Sequence, residues 1–298
     1  MTVDIERSPP PSQPLAITLT AVDGYVFAAT RYPATGPLRG RIVMAGATAV
    51  PQGFYKRFAE YARERGYEVL TFDYRGIGRS RPPLLAGFRM DLLDWARLDL
   101  AAAVELMSGS DVPLYVVGHS YGGHAFGLLP NHSKVDGFYV CGTGAGWHGW
   151  MPLGERLKVL TLWWIVLPPL TWWKGYCPWK LLGMGEDLPV DAYRQWRHWC
   201  GFPHYFFDDP DMRGIEREYA AVTTPIVAAN ALDDLWALPA SREAFMQGYR
   251  NAPVACRDII PGELGGKIGH MGYFRQGAEL LWGEMLAWFE SLPVRMAA

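Results

Sequence analysis

Short apolar runs recur along the chain at 41–45, 67–72, 114–117, 138–141 and 226–229, with a further one near 256–260. Their length, and the turn residues that bound them, predict buried strands. Between them the apolar period lengthens. Phe54, Phe58 and Ala62 repeat at helical spacing within 54–65, and Leu92, Trp95, Leu98 and Ala102 share one face of a helix over 91–107. Helices are also predicted at 122–129, 241–249 and 278–289. Near the start, 17–20 and 25–31 flank Asp23-Gly24, a hairpin signal. Strands alternating with helices in this way predict an α/β fold, a mostly parallel eight-stranded sheet with helices on both faces. Ligands of such sheets bind beyond the carboxyl ends of the strands.

The alternation stops between about 146 and 215. The chain thus divides into a core, 1–145 and 216–298, and an insertion, 146–215. The insertion holds nine of the thirteen tryptophans: Trp147, Trp150, Trp163, Trp164, Trp172, Trp173, Trp179, Trp196 and Trp199. Within it, 159–173 is strongly apolar. It falls short of the roughly 20 residues that span a bilayer. Pro168-Pro169 is expected to break its helix near the middle. Core, lid or membrane-surface contact are the roles left for it.

Composition narrows the class. Half of the 298 residues are hydrophobic, ample for a large core. A formal net charge of −2 offers no basic surface for nucleic acid. Cys141, Cys177, Cys200 and Cys256 have no C-x-x-C spacing and read as reduced, packed thiols. The stretch 1–14 is polar and proline-rich, without the charged-then-apolar order of a signal peptide. A cytoplasmic location is the default expectation, with no transmembrane span. The oligomeric state is not legible.

The chemistry centres on Gly118-His119-Ser120-Tyr121-Gly122, a G-x-S-x-G sequence between an apolar strand and a helix. Ser120 must stand on a sharp turn, and the glycines remove side chains that would collide across it. A helix starting there aims free N–H groups and a positive dipole end at the reacting centre. A serine hydroxyl needs a histidine base, and that base a carboxylate to orient it, in the order Ser, Asp, His for such a fold. Downstream, Asp233-Asp234 follows the strand at 226–229, and His270 sits in a glycine-rich loop before the last helix. The two aspartates compete for the orienting role. None of the other histidines has that order and context, and His119 reads as a packing residue of the elbow. No histidine pair has metal-ligand spacing, so no metal and no cofactor is predicted.

On these residues, and on Phe72-Asp73-Tyr74-Arg75-Gly76-Ile77-Gly78-Arg79-Ser80, the chain resembles the α/β-hydrolase superfamily from about residue 17 to 289. It is most similar to a bacterial branch ending Gly-His-x-Gly-(Phe or Tyr)-Phe-Arg, matched by Gly269 to Arg275. The resemblance implies an α/β-hydrolase fold with a helical cap formed by the insertion, and a triad of Ser120, Asp234 and His270. The relatives' pattern of a small residue, two variable residues and an acid selects Asp234 from Ala231-Leu232-Asp233-Asp234. Asp233 is then a turn or capping residue. Where many relatives carry a His-Gly pair, this chain has Ala45-Gly46-Ala47-Thr48. The implied oxyanion donors are the N–H groups of Tyr121 and Ala47, with the Thr48 hydroxyl as an addition.

Aromatic walls from the cap suit an apolar or aromatic group, and Trp147, Trp163, Trp164 and Trp236 are the expected substrate contacts. The partner is then a small apolar ester-like molecule. The expected activity is that of a serine hydrolase cleaving carboxylic esters or thioesters. Acyl transfer to another acceptor, lyase chemistry with the same triad, and non-catalytic binding of a small ligand remain open. Dehalogenase and epoxide hydrolase chemistry is disfavoured, because those relatives carry an aspartate where Ser120 stands.

Overall fold

The computed structural model describes residues 13–109 and 112–293. The proline-rich stretch 1–14, save its last two residues, lies outside them. Eight strands form one sheet: β1 (Leu15–Thr20), β2 (Val26–Tyr32), β3 (Gly40–Ala45), β4 (Tyr67–Phe72), β5 (Leu114–His119), β6 (Gly137–Cys141), β7 (Ile226–Ala231) and β8 (Val254–Ile259). Their spatial order is β1-β2-β4-β3-β5-β6-β7-β8. β1 pairs antiparallel with β2 and β2 with β4, and every other pairing is parallel.

Alternate residues feed two separate cores, as the two-residue period of a strand requires. Val43, Val116 and Val140 enter one, while Ile42, Met44, Val117 and Tyr139 enter the other. The second is closed by α1 (Lys56–Arg63) and α9 (Glu279–Ser291) through Phe58, Met285 and Phe289. Both faces of the central strands are covered, which is why these strands read as unbroken apolar runs. The chain reverses direction across the sheet between β3 and β5, whose ends pair Ala45 with Gly118. The loops leaving those two ends diverge around a crevice, the usual ligand position in such sheets.

Two helices depart from the sequence reading. The predicted helix over 91–107 contains a π turn at Trp95–Leu100 before the regular α2 (Ala101–Met107). Asp99 within that turn is fully buried and accepts from both the backbone and the guanidinium of Arg75.

In the insertion, Pro168-Pro169 does not break the helix. α4 (Leu153–Thr161), a π turn (Leu162–Val166) and α5 (Leu167–Lys174) follow one another without a gap. The prolines sit at the start of α5, just after the π turn, and give no N–H to the turn before them. The Trp163 carbonyl, one turn before Pro168, accepts from the Tyr193 hydroxyl and Arg197, both on α6 (Val190–Trp199). No helix among the described residues is long and apolar enough to cross a membrane.

Candidate active site

β5 ends at His119 and α3 (Tyr121–Phe126) begins two residues later, so Ser120 turns the corner alone. Its φ of 51° and ψ of −105° place it in a region that non-glycine residues rarely adopt. The strain is held by hydrogen bonds on both sides. Ser120 N–H donates to the Cys141 carbonyl at 2.8 Å, and the Ser120 carbonyl accepts from Thr143 Oγ1 at 2.7 Å. Gly122 is required by contact: a β-carbon there would lie 2.2 Å from the Ala45 carbonyl oxygen, which is backbone and has nowhere to go. Gly122→Ala is therefore expected to destabilise the fold by about 2–3 kcal/mol, as overpacking does. A lowered urea midpoint checks this.

His270 follows β8 in a loop that Asp233 secures. The Asp233 carboxylate accepts from the Ile268 and Gly269 N–H groups at 2.9 and 3.0 Å. Its neighbour Asp234 points into the protein and is fully buried. It accepts from His270 Nδ1 at 3.0 and 2.9 Å, from the Tyr273 hydroxyl at 2.9 Å, and from the Trp236 and Ala237 N–H groups. Burial pushes the Asp234 carboxyl up, but His270 and these donors outweigh it and hold it below the usual carboxylate range. Burial pulls His270 down, and the Asp234 charge and hydrogen bond more than offset this, leaving the imidazole above its ordinary value. Since a carboxylate can only accept, Nδ1 carries the proton. Nε2 then accepts from Ser120 Oγ, 3.0 Å away. The three side chains that the sequence singled out converge, with Asp234 and not Asp233 on the imidazole.

Behind the site runs a buried chain of hydrogen bonds that the sequence did not reveal. Ala47 N–H donates to the Tyr55 hydroxyl oxygen at 2.7 Å. Tyr55 Oη lies 3.0 Å from His119 Nδ1, and His119 Nε2 lies 2.8 Å from the His270 carbonyl oxygen. The carbonyl accepts only, so Nε2 donates to it and Nδ1 accepts the hydrogen bond from the Tyr55 hydroxyl. Burial, then the nearby His270 charge, push the His119 imidazole down to about 3, so it is neutral. His119 is more than packing, since it ties the loop after β3 to the loop that carries His270.

This chain corrects one expectation. The Ala47 N–H, expected to face an oxyanion, is already spent on Tyr55. Tyr121 N–H, at the first position of α3, makes no hydrogen bond to a described residue.

A cavity of about 390 Å³ opens on Ser120 and His270. Its walls come from Thr48 to Pro51, Phe54, Met271 and Arg275 of the core, and from Trp179, Met184 and Trp196 of the insertion. Trp236 lines it as expected, its ring centroid 6.2 Å from that of His270, and its Nε1 donates to Glu155 of the insertion.

The other three expected contacts do not line it. Trp147 folds back over Gly149 and Trp150. Trp163 is buried behind the wall, against Trp179, Tyr193 and Trp196. Trp164 is exposed, with Arg197 stacked over it. Trp179 and Trp196 take the place of these three, brought in by the folding of the insertion rather than by a local pattern. Tyr273, inside the Gly269–Arg275 motif, was legible as part of a motif but not as a second support for Asp234. Among the described residues no three His, Cys, Asp or Glu side chains gather as metal ligands.

The fold is shared with many solved structures. One is a soluble variant of monoglyceride lipase from Saccharomyces cerevisiae in complex with a substrate analogue. It is 17% identical, with a TM-score of 0.69 over 95% of this chain and 98% of that one. An esterase from Exiguobacterium antarcticum is 16% identical, with a TM-score of 0.60 over 93% of this chain and 100% of that one. A Pyrococcus furiosus esterase is 13% identical, with a TM-score of 0.60 over 94% and 91%. No curated protein matches the sequence. A sequence model described as "Alpha/beta hydrolase family" matches residues 42–279, from β3 to the first residue of α9. With that match spanning most of the chain, and with this sheet order, the protein belongs to the alpha/beta hydrolase family.

Proposed function

We propose that the protein is a serine hydrolase of carboxylic esters, thioesters included, that works through an acyl-enzyme on Ser120. The observation that carries this is the continuous relay from Ser120 Oγ through His270 to buried Asp234. His270 takes the hydroxyl proton as Ser120 attacks, then returns it to the leaving alcohol or thiol. Water then repeats the sequence on the acyl-enzyme. Asp234 fixes the tautomer and steadies the imidazolium.

The oxyanion is held by Tyr121 N–H and by Thr48, which lines the cavity and makes no hydrogen bond to a described residue. Thr48 thus replaces Ala47 as the second donor, and each such donor is typically worth about 3 kcal/mol of barrier. Residues 146–215 act as the cap over a core of 1–145 and 216–298. The walls of Trp179, Trp196, Trp236 and Phe54 favour an apolar or aromatic acyl or alcohol group.

A fluorophosphonate probe tests this reading. Intact-mass analysis and peptide mapping should find one adduct, on Ser120. A parallel screen of ester and thioester turnover over acyl chain length should find a short to medium apolar optimum. A protein that is neither labelled nor active on any ester would refute the proposal.

The pH profile follows from His270. General-base catalysis needs neutral imidazole, and Asp234 raises the pH at which that form appears. The acid limb of kcat/KM is expected above the ordinary histidine value of about 6.5, with activity falling as pH drops through it.

A further inference from the structure

The apolar stretch that runs through α4, its π turn and α5 has two apolar sides. Val159, Trp163, Leu167 and Thr171, four residues apart, are buried against the cap interior. The outward side carries Leu153, Leu157, Trp164, Ile165, Trp172 and Trp173, each more than half exposed and Trp172 86% exposed. A helix that is apolar all round is stable when both sides are covered. Here one side is bare, and it forms a row too long to be scattered surface residues.

Charge decides what covers it. Over 152–182 there are four cations, Arg156, Lys158, Lys174 and Lys180, against one carboxylate, Glu155. That carboxylate accepts from Trp236 Nε1 and pairs with Lys158 at 3.2 Å, and Lys180 pairs with Glu186 at 3.2 Å, so the excess positive charge of the span rests on Arg156 and Lys174. The Lys174 ammonium lies over the Trp173 ring and the Arg197 guanidinium over that of Trp164, at 4.4 and 4.7 Å. Exposed tryptophans rimmed by cations form the pattern of a helix lying in a lipid headgroup layer. A second copy of the chain fits less well. A two-fold contact would bring these same-sign groups face to face in a drying interface. Anionic headgroups would neutralise them instead.

We infer that this helix pair seats the cap on an anionic bilayer surface, with Trp164, Trp172 and Trp173 at headgroup depth. The inner side of the same helix packs through Trp163 onto Trp179 and Trp196, which line the cavity. The docked surface is therefore one side-chain layer from the pocket.

Co-sedimentation of the full-length protein with vesicles tests this. Vesicles of phosphatidylcholine with 30% phosphatidylglycerol should bind the protein at least tenfold better than phosphatidylcholine alone, with a blue shift of tryptophan emission. Raising salt should weaken the binding. The double variant Trp172→Ser, Trp173→Ser should lose at least tenfold in partitioning with an unchanged Tm, because both side chains are exposed. Lys158→Glu with Lys174→Glu should erase the preference for anionic vesicles. The proposal is overturned if the wild type binds neither vesicle, or if the tryptophan variant binds as well. It is also overturned if sedimentation equilibrium shows a dimer that this variant abolishes.

Discussion

Ser120→Ala is expected to eliminate ester turnover, with a loss in kcat on the order of 10⁶-fold. Removing the nucleophile of a serine–histidine unit costs about as much as removing the whole unit. The change deletes one oxygen in a half-buried position and leaves the hydrogen bonds to Cys141 and Thr143, which are backbone-mediated on the serine side. The fold should survive, so lost activity can be assigned to chemistry. Steady-state kinetics on the best ester of the screen, with circular dichroism as the folding control, gives the readout. A variant that keeps more than a few per cent of wild-type turnover would remove Ser120 from the mechanism and the acyl-enzyme with it.

The adjacent aspartates should separate sharply. Asp234→Asn is expected to lower kcat by about 10⁴-fold, because an amide facing Nδ1 favours the wrong imidazole tautomer while the geometry stays intact. Asp233→Asn should keep kcat within about tenfold. Its carboxylate touches no reacting group. It accepts from the Ile268 and Gly269 N–H groups, and an asparagine oxygen can still accept from one of them. Its cost should fall on stability, as a Tm lowered by a few degrees. If Asp233→Asn proves the more damaging to kcat, the triad must be redrawn.

The elements that proved legible are those specified over short stretches. Gly118 to Gly122 announced the elbow because steric demands at consecutive positions leave little freedom in sequence. The strands announced themselves because burial on both faces excludes polar residues from them. Asp234 and His270 stood out because they follow β7 and β8 in turn, in the order that such a relay requires.

What failed was non-local. Nothing near Ala47 says that the phenol of Tyr55, eight residues on at the end of a 3₁₀ turn, occupies its N–H. Trp163 and Trp164 are neighbours in the richest aromatic run, yet one is buried behind the pocket and the other faces outward, because successive residues of a helical turn point in different directions. The walls come instead from Trp179 and Trp196, and that choice is made by how the insertion folds on itself. Pro168-Pro169 misled for a related reason: the Trp163 carbonyl left without an N–H by the prolines finds donors on another helix, Tyr193 and Arg197.

The backbone angles of Ser120 have a thermodynamic corollary. Alanine ordinarily outranks glycine in a folded protein, because glycine forfeits more freedom when the chain is fixed. At position 120 that ranking should invert. Neither replacement has a hydroxyl, so they differ only in how well they tolerate a positive φ, a posture costing a side-chain-bearing residue about 1–3 kcal/mol. Ser120→Gly should accordingly melt above Ser120→Ala, and that gap in calorimetry measures what the fold spends to present its hydroxyl.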